Sequence, residues 1–169
     1  MNFYDESLLK NKKHIHFIGI GGSGMFPIVQ ILHSEGFYIT GSDNNETETI
    51  KIERKMGIEI FMGQRAENIK GADLIVYTAA IMADNPELIA AKESGVDTIE
   101  RSVMLGLISR RYDRAICVSG THGKTTTTAM LTQILVESEM DPTAVIGGKL
   151  PLIHGSGIAG KPLRRLWRS

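Results

Sequence analysis

The chain has 169 residues, 42% of them hydrophobic, which is enough for one full domain or for one domain and part of a second, and excludes a peptide ligand or a linker. Its 19 basic and 19 acidic residues balance, so net charge points neither to nucleic acid nor to a membrane surface; four of the basic groups, Lys161, Arg164, Arg165 and Arg168, crowd the last nine positions and leave a mildly acidic body. A single cysteine, Cys117, inside an apolar run excludes a disulfide framework, and MNFYDESLLKNKK has no apolar signal core, so the expectation is a soluble cytoplasmic protein that binds neither nucleic acid nor membrane.

In chain order, short apolar runs alternate with amphipathic stretches, the signature of βα units and a parallel sheet. Strands are expected at His16 to Ile20, Tyr38 to Gly41, Glu59 to Phe61, Leu74 to Tyr77 and Asp97 to Ile99. Helices are expected at Gly24 to Ser34, Thr47 to Met56 and Pro86 to Ser94, with Gly36, Gly57 and Gly95 placed where helices end. A further helix, Ser102 to Ser109, leads into the polar stretch RRYDR at 110–114, a candidate domain boundary. Beyond it come an expected strand at Ala115 to Ser119, a helix at Lys124 to Ser138 and a strand at Ala144 to Ile146.

The first expected strand opens into GIGGSGM, which sets Gly19, Gly21 and Gly24 in the G-x-G-x-x-G spacing. Gly21 lets the backbone approach a diphosphate, Gly24 lets helix and strand pack closely, and the amides at the helix start face the anion. Asp43, 19 residues after Gly24 at the end of the second strand, is placed to take a ribose hydroxyl. The same glycines could serve tight packing alone, and the spacing leaves NAD, FAD and UDP-sugars equally open.

The second glycine turn lies in ICVSGTHGKTTTT, residues 116–128. Against the P-loop pattern G-x-x-x-x-G-K-[ST] it reads VSGTHGKT, with Val118 in the first glycine position. Gly120 and Gly123 supply a turn that exposes amides, Lys124 a charge for β- and γ-phosphate oxygens, and Thr125 a hydroxyl for Mg²⁺. A Gly-Lys turn that merely caps a helix is the plainer alternative. Of the five histidines, His14 and His16 share a strand face, His33 rides a helix and His154 lies in a loop, all read as solvated or core residues; His122 differs because it sits inside the phosphate loop.

HFIGIGGSGM, GSD, VYTAAI, DNPE and SGTHGKTTTT together resemble the amino half of the Mur ligase family, from His14 to about Lys161. The likeness is strongest to the members that join L-alanine to UDP-N-acetylmuramate in peptidoglycan synthesis. It implies an α/β fold with a Rossmann-like parallel-sheet UDP-binding domain over 1–109 and an incomplete P-loop ATPase-type domain over 110–169. By position, Gly21, Gly22, Ser23 and Gly24 would hold the sugar nucleotide's diphosphate after the turn at Gly19, Asp43 would lie near the uridine, and Thr78, Ala79 and Ala80 would line the same site. Gly120, Thr121, His122, Gly123, Lys124, Thr125 and Thr126 would hold ATP, with Lys124 on the transferred phosphoryl group and Thr125 on Mg²⁺. The implied reaction is ATP-dependent amide formation through an acyl phosphate. Two alternatives stand beside it: the ligase that attaches recycled tripeptide to the same sugar nucleotide, and a Rossmann module that senses a nucleotide.

The family's acidic magnesium segment, its carbamylated lysine and its C-terminal domain do not occur in these residues, and from about 162 the chain reads PLRRLWRS. The expectation is a truncated or frameshifted end. It is also a chain that binds the nucleotide-sugar but is catalytically incomplete, with an apolar face of the second unit left uncovered.

Overall fold

Strands that are apolar on both faces need helices on both sides, and the chain meets that need with a parallel sheet. The computed structural model describes residues 6–153 and 155–160. Strands β1 (His14–Ile18), β2 (Tyr38–Asp43), β3 (Glu59–Met62), β4 (Leu74–Tyr77) and β5 (Asp97–Glu100) are all parallel, in the order β3-β2-β1-β4-β5. Helices α1 (Phe26–Ser34), α2 (Glu48–Lys55), α3 (Pro86–Glu93) and α4 (Arg101–Arg110) connect or follow them. Ile15 and Phe17 of β1 and Leu74 and Val76 of β4 pack with Ile28, Leu32, Met104 and Leu107 on one face. Ile18 and Ile75 pack with Leu88 and Ala91 on the other.

Local chemistry sets the element ends. Gly36, Gly57 and Gly95 take φ of 90°, 86° and 76°, the left-handed turn that stops a helix and that only glycine adopts without strain. The Thr47 hydroxyl caps α2 by accepting from the Ile50 amide at 3.2 Å, and the Asn85 side chain caps α3 from the Glu87 and Leu88 amides at 3.0 Å. Strand β1 begins two residues before the expected His16 and stops at Ile18, because Gly19 at φ 82° turns the chain out of the sheet.

Ile20, thereby freed from the strand, is fully buried over β2. A Cβ on Gly41 would stand 2.5 Å from Ile20 Cδ1 and 2.9 Å from the Phe17 carbonyl oxygen, a backbone atom that cannot step aside. Gly41→Ala is expected to cost about 2 kcal/mol in urea unfolding through this overpacking; a variant with the wild-type midpoint would contradict it.

After α4 come α5 (Lys124–Glu137) and an antiparallel pair, β6 (Ala144–Leu150) and β7 (Gly155–Ile158). The expected strand at Ala115 to Ser119 does not form; the segment joins neither sheet, and Ile116 is 67% exposed. A single parallel strand has nothing to bond to without neighbours, and the strands that follow pair with each other. Met130 and Ile134 of α5 are 55% and 60% exposed. Strand β6 runs four residues beyond the expected Ile146, and β7 was not foreseen.

The polar stretch at 110–114 is anchored: Arg111 pairs with Glu35 at 2.6 Å, and the Tyr112 hydroxyl donates to Thr143 Oγ1 at 3.1 Å. The β6–β7 pair leans on α1, where Gly155 lies against Phe26 and Gly157 meets Pro27 so closely that a side chain on Gly157 would clash. Among the described residues no helix is long and apolar enough to cross a membrane. His154, Lys161 and the PLRRLWRS tail lie outside the described residues.

Candidate functional site

The carboxyl ends of β1, β2, β4 and β5 open on one edge of the sheet, and the strand order reverses between β1 and β4, the place where open α/β sheets bind ligands. The first glycine loop leaves β1 there. Gly19 and Ile20 donate to the Ser42 carbonyl at 2.8 and 3.0 Å, which ties the loop to the end of β2. The Gly21 amide donates to Asp43 Oδ2 at 3.0 Å, while the Asn45 amide donates to Oδ1 at 2.9 Å. Asp43, expected near a ribose, therefore also shapes the loop.

Gly21 is required by contact: a Cβ would lie 2.9 Å from Ile50 Cδ1 and 3.0 Å from Thr47 Oγ1. Gly22 accepts from Met25 and Phe26 at 2.9 and 3.2 Å to start α1. The amides between, those of Ser23 and Gly24, have no hydrogen-bond acceptor among the described residues, and Ser23 is exposed. Two free amides at the mouth of a helix are donors of the kind that suit an anion.

Thr78, Ala79 and Ala80 follow β4 into the same mouth. The Thr78 amide donates to the Ile18 carbonyl at 3.3 Å, and Thr78 Cγ2 lies 2.7 Å from where a Gly19 Cβ would be. Gly19 is thus the residue that lets this loop close on the first.

Two features of this edge escaped the sequence reading. Arg101, the first residue of α4, lays its guanidinium against Gly24, with Nη1 3.4 Å from the position of a Gly24 Cβ. The signal was a basic residue at a helix start just after a strand end, where the helix dipole disfavours it. Beneath the site, His16, Ser42 and Glu87 are fully buried and bonded: His16 Nε2 lies 2.8 Å from Glu87 Oε1, and the Ser42 hydroxyl donates to Glu87 Oε2 at 2.6 Å. His14 and His16 do share one strand face, and both bond to Thr40 Oγ1, at 2.8 and 2.7 Å.

One buried group is unsatisfied. Glu53 of α2 is fully buried, and neither carboxylate oxygen has a partner; burial first, and then the nearby Asp43 charge, push its carboxyl up to about 8.

The second glycine loop stands apart and is exposed from Ser119 to Thr127. Gly120 and Gly123 take φ of 151° and 78°, so both glycines of the turn are conformationally required. Gly123 caps α5 with no side-chain bond to the first-turn amides. Lys124 Nζ donates to the Gly120 and Thr121 carbonyls at 2.6 and 3.3 Å, folded over its own loop. Thr125 abuts β6, its Oγ1 3.1 Å from a Gly147 Cβ position. The glycines, the lysine and the uncapped helix start fit a polyphosphate. For Mg²⁺ the described residues offer the Thr125 hydroxyl but no cluster of three His, Cys, Asp or Glu. The β6–β7 pair touches both loops, since the Ser156 hydroxyl reaches the Ser23 carbonyl at 3.4 Å.

The sequence profile of the Mur ligase family, catalytic domain, matches residues 14–113, which contain the whole sheet and its glycine loop. The chain belongs to the Mur ligase family. Among curated Mur ligases it is 51% identical over 144 residues to the UDP-N-acetylmuramate–L-alanine ligase of Agathobacter rectalis, covering 85% of this chain and 31% of that protein. Among solved structures it superposes on the UDP-N-acetylmuramate-alanine ligase of Thermotoga maritima with a TM-score of 0.82 at 37% identity, over 89% of this chain and 35% of that one. The UDP-N-acetylmuramate:L-alanyl-gamma-D-glutamyl-meso-diaminopimelate ligase from Neisseria meningitides gives 0.80 at 28% identity, over 88% and 47%. The chain spans about a third of the length of the curated Mur ligases it matches.

Proposed function

We propose that this chain is the sugar-nucleotide-binding part of a ligase that joins L-alanine to UDP-N-acetylmuramate at the expense of ATP. The observation that carries the reading is the pair of unbonded amides at Ser23 and Gly24, at the carboxyl edge of the sheet beside Asp43 and the Thr78–Ala80 loop. On this reading Gly21, Gly22, Ser23 and Gly24 cradle the diphosphate, Gly19 makes the turn, Asp43 sits by the uridine, and Thr78, Ala79 and Ala80 line the wall. A division near residue 110 separates this unit from the segment with the second loop. There Gly120, Thr121, His122, Gly123, Lys124, Thr125 and Thr126 would hold ATP phosphates, Lys124 swinging from its own loop carbonyls to the transferred phosphoryl group and Thr125 turning to Mg²⁺. Bound ATP supplies the phosphate that activates the sugar's carboxylate. The cytoplasmic location expected from the sequence goes with this role.

The ligase that uses recycled tripeptide takes the same sugar nucleotide; the higher identity to the alanine ligase supports alanine. Titration calorimetry of the 169-residue chain is expected to show binding of UDP-N-acetylmuramate and none of NAD, with no alanine-dependent phosphate release from ATP. Tight NAD binding without a response to the UDP-sugar would replace this reading with the nucleotide sensor, and robust turnover would show the chain to be a complete enzyme.

A further inference from the structure

We propose that Arg101 is the cationic ligand of the diphosphate, standing beside Gly24 of the glycine loop; the inference rests on the sugar-nucleotide reading above. Arg101 opens α4 directly after β5, so its backbone stands on the ligand edge of the sheet. Its Nη1, Cζ and Nε lie 3.4, 3.5 and 3.6 Å from the point a Gly24 Cβ would occupy. Three atoms at nearly one distance mean that the guanidinium lies flat against Gly24, an approach that a larger residue at position 24 would crowd.

The charge is half-buried, yet among the described residues the Arg101 side chain has no hydrogen-bond or ion-pair partner. Lys12 pairs with Asp97, Arg54 with Glu46 and Arg111 with Glu35. A guanidinium partly removed from water without an acceptor is a cost that the fold alone does not explain. Beside it, the Ser23 and Gly24 amides are also unbonded, so three sets of donors converge and no acceptor is supplied. Asp43, the nearest carboxylate on the loop, is already committed to the Gly21 and Asn45 amides. Two amides and, beside them, a planar fork suit an anion with oxygens on two phosphorus atoms better than a single phosphate.

The test compares UDP with UMP, which share the nucleoside and differ by one phosphate, in calorimetric titrations of the full chain. In the wild type UDP is expected to bind at least about tenfold more tightly than UMP. Arg101→Gln should weaken UDP about tenfold, leave UMP within about twofold, and flatten the salt dependence of UDP binding. Arg101→Lys, which keeps the charge without the fork, should recover part of the UDP preference, and it serves as the test variant if Arg101→Gln does not fold. Equal losses for UDP and UMP would mean a merely structural arginine and overturn the proposal. So would unchanged UDP affinity in both variants, with the glycine-loop site left standing. Failure of the wild type to bind UDP or UMP would overturn the sugar-nucleotide reading together with this inference.

Discussion

Replacing Glu53 with leucine is expected to stabilise the chain by about 2–4 kcal/mol at pH 8 and raise its thermal midpoint by about 5–10 °C. Glu53 is fully buried, both of its oxygens lack partners, and it faces the charge of Asp43. Its carboxyl is raised from 4.5 to about 8, first by burial and then by Asp43. Because the folded value lies above the unfolded one, native chains retain a proton that unfolded chains have released between those two values. Stability therefore falls as pH rises from about 4.5 to about 8, and this group contributes no slope below that window. Converted at about 1.4 kcal/mol per unit, the full loss is about 5 kcal/mol. Leucine has a similar volume and continues the buried face begun by Ile50, so it should remove the loss without a cavity. Calorimetric unfolding at pH 5 and pH 8 checks this. The gain should be small at pH 5 and large at pH 8, and Glu53→Gln should lose the slope while gaining less. A leucine variant with the wild-type midpoint and the wild-type pH slope would sink the account.

How much of this was legible in the sequence follows from range. The sheet and four helices were readable because periodicity, glycine stops and capping residues act within a few positions; Leu74 to Tyr77 falls where expected, and Thr47 and Asn85 cap as their types suggest. Position within the sheet was less readable: β1 slid by two residues because Ile20, apolar enough to continue the strand, instead fills the space left by Gly41 on a neighbouring strand. Ala115 to Ser119 has the composition of a buried strand, but composition does not supply the neighbours that a strand bonds. The turn at Gly19 and the close approach at Gly21 were legible in the glycine spacing. Arg101 was not, since its meaning lies in a contact with Gly24 across 77 positions of chain. Nothing in the helical pattern marks Glu53 for burial, and here it points inward.

The other large effect is expected at Glu87, where alanine should cost about 3–5 kcal/mol and lower the thermal midpoint by about 10 °C. The reason is a chain of bonds under the site: Gly71 carbonyl to His14 Nδ1 at 2.8 Å, His14 Nε2 to Thr40 at 2.8 Å, Thr40 to His16 Nδ1 at 2.7 Å, and His16 Nε2 to Glu87 at 2.8 Å. Alanine at 87 removes the acceptor for His16 and for the Ser42 hydroxyl at once, deep in the core. The damage should also reach the ligand edge, because the Ser42 carbonyl holds the Gly19 and Ile20 amides and Asp43 follows it in the chain. Urea unfolding and UDP-N-acetylmuramate titration of Glu87→Ala and Glu87→Gln separate these parts. Glutamine keeps an acceptor for His16 but loses the carboxylate charge, so about half the stability loss is expected, with affinity less impaired than in alanine. Wild-type stability in Glu87→Ala, or glutamine as damaging as alanine, would show that the bonded chain does not carry the load assigned to it.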